Sequence, residues 1–398
     1  MRLLVTGGGT GGHIYPAIAV ARAVLESEPG ADVLYVGTVN GLEADIVPKE
    51  GLPFRTIPSR GMVGGGLIRA PGTVWVAARG VLAALRVIRW FDPDVALGTG
   101  GYVAGPVSLA AALRRVPLVL HEQNAFPGVT NRVAARWAAA VAVPYAEARR
   151  YFPSRTRVVV TGNPIRRSVV ELTSEEGRRI LGLPAGKAEP RFVVYLVGGS
   201  RGAEALNDAA VRALPGLMDI PGIHAIFATG SRYYASAAEA LASQGIGLEP
   251  GGKITLVPYL ERADAAIAVA DVVVTRAGGT TLAEITARGV PAVIVPSPNV
   301  THNHQVYNAR VLEKAGAARV ILEQDLSGPV LEAAVRELWQ DEALRKNMSR
   351  ASLRLGRPEA ADDIAGLVMQ AARRRPRGSR RGRGPVARRG LTATRKTK

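Results

Sequence analysis

Two successive series of short β-branched runs, separated by Ala- and Leu-rich amphipathic stretches, constrain this chain more than any other feature of its sequence. The first series lies at residues 2–6, 32–36, 95–98, 118–121 and 157–161. The second lies at residues 191–197, 224–228, 253–257, 271–275, 292–295 and 319–322. Strands that are apolar on both faces and alternate with helices are typical of a parallel sheet covered by helices. The sequence therefore predicts an α/β protein with two Rossmann-like, doubly wound parallel-sheet domains.

The composition fits two folded domains. The chain has 398 residues, 47% of them hydrophobic and 21% charged, as in globular proteins with about 150 residues per domain. It contains no cysteine, which excludes disulfides, zinc sites built on thiolates and cysteine nucleophiles. The apolar run at residues 2–6 is shorter than a signal peptide requires. Since the sequence also has no run of about 18 apolar residues that could span a membrane, we expect a cytoplasmic protein.

The net charge of +18 is concentrated at the C-terminus. Residues 373–398 hold 12 Lys and Arg and neither Asp nor Glu, so the rest of the chain carries only +6. This tail is rich in Arg, Gly and Pro and has no apolar periodicity, which predicts disorder. A tail of this kind could bind RNA or anionic lipid. The body lacks aromatic residues arranged on a basic face, so the pattern does not favour nucleic acid as a partner of the folded part.

Three glycine-rich loops each stand where a predicted strand gives way to a helix. They read GGGTGGH at 7–13, GGSRGA at 198–203 and RAGGTTLAE at 276–284. Glycines let a phosphate approach the backbone, and the free N–H groups of the following helix attract the anion. A tight turn that packs a helix on a strand would also use glycine, but three loops at equivalent places favour phosphate binding. We expect Pro16 to open the first helix.

The first loop also satisfies the dinucleotide-binding pattern G-x-G-x-x-G through Gly7, Gly9 and Gly12. Nicotinamide enzymes place an acidic residue about 20 residues further on, at the end of the second strand. Here that strand ends with Val-Gly-Thr at 36–38, which argues against a dehydrogenase. None of the loops ends in Gly-Lys-Ser or Gly-Lys-Thr, which argues against a P-loop NTPase. Two facing doubly wound domains with glycine loops at the crevice instead suggest a nucleotide-sugar glycosyltransferase of the GT-B architecture.

Seven motifs carry a resemblance to one such family. They are GGGTGGHIYPA (7–17), GTGGYVAGP (98–106), HEQNAFPGVTNR (121–132), GNPIR (162–166), GGSRGA (198–203), RAGGTTLAE (276–284) and NHQVYNA (303–309). From about residue 1 to 373 the chain closely resembles the MurG family, the undecaprenyl-diphospho-muramoylpentapeptide N-acetylglucosaminyltransferases of glycosyltransferase family 28.

The resemblance implies a division of the chain. An acceptor- and membrane-facing domain would span 1–162 and a UDP-GlcNAc-binding domain 163–357. A C-terminal helix at 358–372 would pack back toward the N-terminal domain. Only the predicted disordered tail, 373–398, lies outside the resemblance.

The resemblance also implies an activity, the inverting transfer of N-acetylglucosamine from UDP-GlcNAc to the 4-hydroxyl of the muramoyl sugar of lipid I. The product, lipid II, serves peptidoglycan synthesis, and through it cell-wall biogenesis, cell shape and cell division. The family uses no cofactor and no metal in the chemical step. Implied partners are UDP-GlcNAc, lipid I, the anionic inner leaflet of the cell membrane and other cell-wall synthesis proteins. The expected place is the cytoplasmic face of the membrane, as a peripheral protein.

His13 and Glu122 are the candidates for the general base that a single displacement needs. His13 follows the first glycine loop at a helix N-terminus, where the helix dipole disfavours the imidazolium and keeps the ring neutral. A lone histidine is otherwise more often structural. Glu122, in the motif HEQN, is the competitor, and the sequence leaves open which of the two reaches the acceptor hydroxyl.

The resemblance places substrate contacts on both sides of the cleft. Toward the first loop and the acceptor it implies Thr10, Gly11, Gly12, Tyr102 and Asn124, although Asn124 could instead form an Asx turn. On the donor side it implies Arg166 and Ser200 toward the diphosphate, Glu284 toward the ribose diol, Gly279, Thr280 and Thr281 in the third loop, Leu260 toward uracil and Gln305 toward the sugar hydroxyls. The structural alternative for Arg166 is an exposed arginine in the linker predicted at 162–172, where Asn-Pro at 163–164 breaks regular structure. The alternative for Glu284 is a helix-capping carboxylate.

Residues 71–89 predict a helix at the membrane interface. Apolar residues, with Trp75 near one end, interleave there with Arg79, Arg86 and Arg89, a pattern typical of interfacial helices. A helix that packs on the core is the alternative.

Two other functions of the whole protein also stay open. Another GT-B transferase or an epimerase of UDP-sugars would keep the phosphate loops without a lipid patch, and an RNA-binding protein would depend on the tail.

Overall fold

The structure is a computed structural model that describes residues 1–60, 71–183, 191–249 and 251–375, with the backbone alone for 71–74. Within these ranges the chain folds into two parallel sheets, each flanked by helices. The predicted fold class is therefore confirmed. Most of the predicted basic tail, from residue 376 onward, lies outside the described residues.

Among the described residues, the first half of the chain forms a seven-stranded sheet. Its strands are β1 (Arg2–Thr6), β2 (Asp32–Gly37), β3 (Phe54–Thr56), β4 (Val95–Gly98), β5 (Leu118–His121), β6 (Ala140–Val143) and β7 (Val158–Val160). Its helices are α1 (Gly11–Ser27), α2 (Glu43–Lys49), α3 (Pro71–Phe91), α4 (Ala104–Leu113) and α5 (Val129–Ala134). The strand order is β3-β2-β1-β4-β5-β6-β7, with every pairing parallel.

The second half builds a six-stranded sheet from its described residues. Its strands are β8 (Phe192–Val197), β9 (Ile223–Ala228), β10 (Ile254–Val257), β11 (Val272–Thr275), β12 (Ala292–Ile294) and β13 (Ala318–Val320). The helices of this half are α6 (Ser168–Glu171), α7 (Ser174–Leu181), α8 (Glu204–Leu217), α9 (Tyr234–Ser243), α10 (Ala263–Val269), α11 (Gly279–Arg288), α12 (His304–Lys314), α13 (Gly328–Gln340), α14 (Glu342–Leu355) and α15 (Ala360–Arg373). The parallel strand order is β10-β9-β8-β11-β12-β13.

The strand orders determine where ligands can bind. In the first sheet the order reverses between β1 and β4, and in the second between β8 and β11. Open parallel sheets bind ligands beyond the carboxyl ends of the strands at such a reversal. The three glycine loops follow β1, β8 and β11, so each stands at a reversal point.

Helix α15 returns to the first domain. Its buried residues Ile364, Ala365 and Val368 join the apolar core beneath α1. Beyond the helix, the guanidinium of Arg375 donates to the Asp92 carboxylate at 2.7 Å and to the Pro93 carbonyl. The helix thus runs one residue past the predicted limit at 372, and Arg375, which was assigned to the disordered tail, is bound to the N-terminal domain.

Two features of the first domain differ from the sequence-based expectation. Helix α1 begins at Gly11, so Pro16 lies inside it and does not open it. The helix starts early because the Thr10 carbonyl already accepts the N–H groups of His13 and Ile14. Proline has no N–H, so Pro16 removes the donor that would bind the Gly12 carbonyl. Strands β3 and β6 were not predicted, because β3 is a three-residue edge strand and β6 is the short, alanine-rich sequence AVAV.

Helix α3 covers the predicted interfacial segment and has two faces. Ala84, Ile88 and Phe91 are buried in the core, whereas Trp75 and Leu82 are 65% and 55% exposed. One face of the helix therefore packs on the core, as the alternative interpretation expected, and the membrane interface stays a prediction for the exposed face. In the portion of the chain that the structure describes, every helix is too short or too polar to cross a bilayer.

Candidate functional site

The first glycine loop packs directly on the loop that follows β4. A Cβ on Gly101 would lie 2.1 Å from the carbonyl oxygen of Gly8, so glycine is required where the two backbones touch. Gly9 has a φ of +86°, and a Cβ there would lie 2.9 Å from the Tyr102 ring. The two loops form one surface that carries Thr10, Gly11, Gly12 and Tyr102.

His13 is half-buried in the first turn of α1 and faces this surface. Its Nδ1 lies 3.0 Å from the hydroxyl of Thr10, and its ring lies against Gly100, where a Cβ would be 2.9 Å from the imidazole Cδ2. Burial lowers the pKa of His13 below its usual value, and the nearby charge of Glu122 partly opposes that effect. The imidazole is therefore neutral at pH 7, as a general base must be.

Glu122 is buried, and both of its carboxylate oxygens are occupied by protein donors. Oε1 accepts from the backbone N–H groups of Gln123 and Asn124, each at 2.9 Å, and from the Asn124 side chain at 3.1 Å. Oε2 accepts from the N–H of Gly128 and the side chain of Asn131, each at 3.0 Å. Five donors fill the acceptor capacity of one carboxylate. This arrangement closes the 122–131 loop around Glu122.

The same loop, residues 122–131, lies against the second domain, and we call this contact between the two domains the seam. The amide nitrogen of Asn163 donates to the carbonyls of Gln123 and Gly279, each at 3.0 Å. A Cβ on Gly279 would lie 2.5 Å from the Gln123 carbonyl, so only glycine permits this approach. Asn308, which is fully buried, donates to the Asn124 side chain at 3.0 Å and accepts from the backbone of Ala125 at 2.8 Å. The predicted substrate residue Asn124 is thus joined to α12 of the second domain.

The buried His121 contacts two residues of the seam, Asn163 and Gln123. His121 Nε2 lies 3.2 Å from the side-chain oxygen of Asn163, and its Nδ1 lies 3.2 Å from the side-chain nitrogen of Gln123. That nitrogen also donates to the Thr99 carbonyl at 2.7 Å. Burial lowers the pKa of His121 to about 4. The ring is therefore neutral, with one nitrogen donating and the other accepting.

The second and third glycine loops lie in the second domain, after β8 and β11. Ser200 is exposed between β8 and α8. Thr280 and Thr281 are half-buried in the first turn of α11, where free N–H groups make a helix N-terminus attractive to anions. Gln305 is held through Oε1, which accepts from the backbone of Ala277 at 3.2 Å and of Ser297 at 2.9 Å.

Arg166 and Glu284 form an ion pair in the second domain. Glu284 is 8% exposed, and the Arg166 guanidinium donates to its Oε1 from Nε and Nη2. Burial raises the pKa of the Glu284 carboxyl, and Arg166 opposes that effect. Both bonds go to Oε1. Leu260 is half-buried in the loop after β10.

The structure groups most of the predicted site residues and separates a few. Thr10, Gly11, Gly12, His13 and Tyr102 share the first surface, while Glu122 and Asn124 belong to the seam, which also touches Gly279. Ser200 and Leu260 lie in loops of their own. Among the residues described, no three His, Asp or Glu side chains are grouped as a metal site would require.

Asn163, Asn308 and Glu43 are buried polar residues of the site that were not assigned from the sequence. Asn163 and Asn308 lie within motifs that carry the resemblance, GNPIR and NHQVYNA, and their position there was the available signal. Glu43 is a fully buried carboxylate near the first loop. The sequence feature that could have pointed to Glu43 is its position as an acidic residue shortly after the second strand, in the sequence GLEAD.

Comparisons with known proteins indicate the same family for both halves of the chain. The sequence profile of the glycosyltransferase family 28 N-terminal domain matches residues 3–143, and that of the C-terminal domain matches residues 193–364. The UDP-N-acetylglucosamine--N-acetylmuramyl-(pentapeptide) pyrophosphoryl-undecaprenol N-acetylglucosamine transferase of Symbiobacterium thermophilum is 49% identical over 385 residues, which cover 96% of this chain and 100% of that protein.

Solved structures show the same architecture. The crystal structure of MurG from Acinetobacter baumannii aligns with a TM-score of 0.73 at 27% identity, covering 93% of this chain and 99% of that one. The UDP-GlcNAc 2-epimerase of Neisseria meningitidis, solved with UDP-GlcNAc bound, aligns with a TM-score of 0.66 at 12% identity over 93% of this chain and 100% of that one. At that identity the second likeness concerns the fold alone.

Proposed function

The chain belongs to glycosyltransferase family 28, and on this premise we propose that it transfers N-acetylglucosamine from UDP-GlcNAc to lipid I, forming lipid II. It is a UDP-GlcNAc-dependent hexosyltransferase of peptidoglycan synthesis. The observation that carries the proposal is the contact of Gly279, at the start of α11, with the Gln123 carbonyl. The Gln123 side chain donates to the Thr99 carbonyl, and the Thr99 hydroxyl donates to the carbonyl of His13. The contact therefore supports a donor site at the start of α11, close to His13.

His13 is the residue to which we assign the general base. Its neutral imidazole can accept the proton of the muramoyl 4-hydroxyl as that oxygen attacks the anomeric carbon of the donor sugar. The bond to UDP breaks on the opposite face, so the configuration inverts. Glu122 is the less suitable base, because five protein donors already occupy its oxygens. We assign Glu122 and Asn124 to holding the loop on which the acceptor rests.

The donor is assigned to the second domain. The N–H groups at the start of α11, together with Thr280, Thr281 and Ser200, would bind the diphosphate. Glu284 Oε2 would accept the ribose hydroxyls, and Leu260 would meet uracil through its backbone. Gln305 would donate to the sugar from its amide nitrogen, since its Oε1 already accepts from the backbone of Ala277 and Ser297.

The departing UDP gains negative charge that these groups can stabilise. Arg166 stands beside Glu284, with its side chain 49% exposed, so it can turn toward the diphosphate when a donor arrives. Preorganised N–H groups and a cation supply the stabilisation that a leaving diphosphate requires. We therefore expect the chemical step to need neither a metal nor a cofactor.

The membrane side is assigned to α3. Its exposed Trp75, Leu82 and Trp90 accompany the exposed arginines Arg79, Arg86 and Arg89. Aromatic and aliphatic residues next to arginines suit the boundary of an anionic leaflet. A peripheral position on the inner face would bring the enzyme to lipid I and to other cell-wall synthesis proteins.

Product formation tests the proposal. The purified chain is incubated with labelled UDP-GlcNAc and either a lipid I analogue or a soluble muramoyl acceptor without the diphospholipid. The proposal expects label in the lipid-linked product, with much weaker transfer to the soluble acceptor. Equal transfer to both acceptors would indicate another GT-B transferase.

A further inference from the structure

Glu43 is a buried carboxylate that the reaction described above does not use. It is the first residue of α2, and its side chain is fully enclosed. Oε2 accepts from the backbone N–H of Gly9 at 3.1 Å, and Oε1 accepts from the N–H and hydroxyl of Thr38 at 3.0 and 2.7 Å. In the described ranges no Lys, Arg or terminal amine forms a salt bridge with it within 4.0 Å. A buried charge without a cation persists only where its hydrogen bonds are satisfied.

Three glycines make the space for this carboxylate. A Cβ on Gly8 would lie 2.7 Å from the Glu43 carboxyl group, one on Gly37 would lie 2.5 Å from its Cγ, and one on Gly41 would lie 2.2 Å from Oε1. No other residue type fits at these positions without displacing the carboxylate. Gly8 belongs to the first loop, and Gly37 ends β2, so two separate parts of the domain are shaped around one side chain.

The contacts of Glu43 lead directly to the reacting surface. Gly9, whose N–H it holds, precedes Thr10, and the Thr10 hydroxyl lies 3.0 Å from His13 Nδ1. Thr38, its other partner, lies with its hydroxyl 3.4 Å from that of Tyr102. Tyr35 holds the same loop from the sheet, because its hydroxyl donates to the Gly7 carbonyl at 2.8 Å.

From these contacts we propose that Glu43 is a positioning residue for the first glycine loop. It fixes the backbone at Gly9 so that Thr10 and His13 face the acceptor hydroxyl, and its negative charge favours the imidazolium that forms as His13 takes the proton. This inference rests on the proposed role of His13. A dinucleotide-binding domain would offer an acid at the strand end to a ligand, whereas here the acid comes from α2 and binds the loop itself.

The charges around His13 define the expected pH effect. Burial lowers the pKa of His13, and the charges of Glu122 and Glu43 and the Gly8 carbonyl raise it, whereas His304 lowers it. His121, beneath the loop, also interacts electrostatically with His13. Removing the Glu43 charge should therefore lower the pKa of the base. A merely structural role would leave the pH profile in place.

The test compares Glu43→Gln with Asp45→Asn in the full chain. Asp45 is a carboxylate on the same helix, but it is exposed and pairs with Lys49. For Glu43→Gln we expect kcat to fall by about ten- to a hundredfold through misplacement of the loop, with the acid limb of the kcat profile moved to lower pH. The UDP dissociation constant should stay within about twofold, since the donor binds the other domain. Asp45→Asn should match the unmodified chain in all three measurements.

Two further variants keep the outcome decisive. If Glu43→Gln does not fold, Thr38→Val removes one bond to the carboxylate while leaving its charge, and kcat should fall without a shift of the acid limb. Unchanged kcat and pH profile in Glu43→Gln, with His13→Ala inactive, would overturn this inference alone. Full turnover in His13→Ala would instead overturn the proposed base.

Discussion

The guanidinium of Arg166 contacts one carboxylate oxygen of Glu284 through two nitrogens, Nε and Nη2, each 3.2 Å away. Family resemblance gives these residues separate partners, the diphosphate and the ribose. The structure joins them across 118 positions of the chain. Burial raises the pKa of the Glu284 carboxyl, and Arg166 opposes that effect. Arg166 therefore favours the carboxylate form that the ribose hydroxyls would need as an acceptor.

Glu284→Ala should weaken UDP binding by more than tenfold. The change removes the acceptor for the ribose diol, and each charge-assisted bond is worth about 1.5–3 kcal/mol, where 1.4 kcal/mol is a factor of about ten. Isothermal titration with UDP measures the effect. Glu337→Ala is the matched control, because Glu337 is an exposed carboxylate that pairs with Arg319. An unchanged dissociation constant in Glu284→Ala would refute the ribose assignment.

His13→Ala should lower kcat by about 100- to 10,000-fold, the usual contribution of a general base. UDP binding should change little, because the donor contacts lie in the other domain. Steady-state kinetics with a lipid I analogue separates the two effects. Burial lowers the pKa of His13, so we expect the unmodified enzyme to lose activity only as the pH falls below about 6.5.

Glu122→Gln distinguishes the two candidate bases. The substitution replaces a carboxylate oxygen, which accepts from N–H donors, with an NH₂ group that cannot accept. The 122–131 loop should therefore be destabilised and the melting temperature lowered. If Glu122→Gln instead kept its stability and lost all turnover while His13→Ala stayed active, the two roles would be reversed.

His121 should make the protein less stable in mild acid. Burial lowers its pKa to about 4 in the folded chain, against about 6.5 in an unfolded one. Between these values the unfolded chain binds the extra proton, so the free energy of unfolding falls as the pH drops from about 6.5 to 4, by about 3 kcal/mol. Urea titrations across this range measure the slope. His121→Gln should flatten it, and His302→Gln, at an exposed histidine, should not.

Membrane affinity should reside in α3 and not in the basic tail alone. Attraction of the tail to anionic lipid is screened by salt, whereas apolar burial is not. A chain truncated after Arg375, which keeps the contact with Asp92, should still float with anionic vesicles at high salt. Adding Trp75→Glu and Leu82→Glu should abolish flotation but not UDP binding, and Val330→Glu should have no effect. Loss of flotation on truncation alone would make the tail the anchor.

The sheets were predictable from the sequence because their strands are continuous apolar runs. Val95–Gly98 and Leu118–His121 agree with the predicted limits residue for residue. The missed strand β6 has only four residues, two of them alanine. Alanine favours helices by intrinsic propensity, and here pairing with β5 and β7 overrides that preference.

The candidate site was predictable only in part. The positions of the glycine loops can be predicted because each loop follows a strand. The hydrogen-bond partners of a carboxylate cannot, because they depend on packing between distant segments. Glu122 could be read as a base because the sequence does not show that Gly128 and Asn131 turn back to it. Asn163 could not be assigned because its two carbonyl partners lie 40 and 116 positions away.

The most direct test of the account is the linkage of the product. The purified chain is incubated with UDP-GlcNAc and a short-chain lipid I analogue, and the product is examined by mass spectrometry and by the NMR coupling of its new anomeric proton. We expect one added N-acetylglucosamine, β-linked to the muramoyl 4-hydroxyl, in a reaction that proceeds in EDTA. An α-linked product, or conversion of UDP-GlcNAc to its 2-epimer with no disaccharide formed, would contradict it.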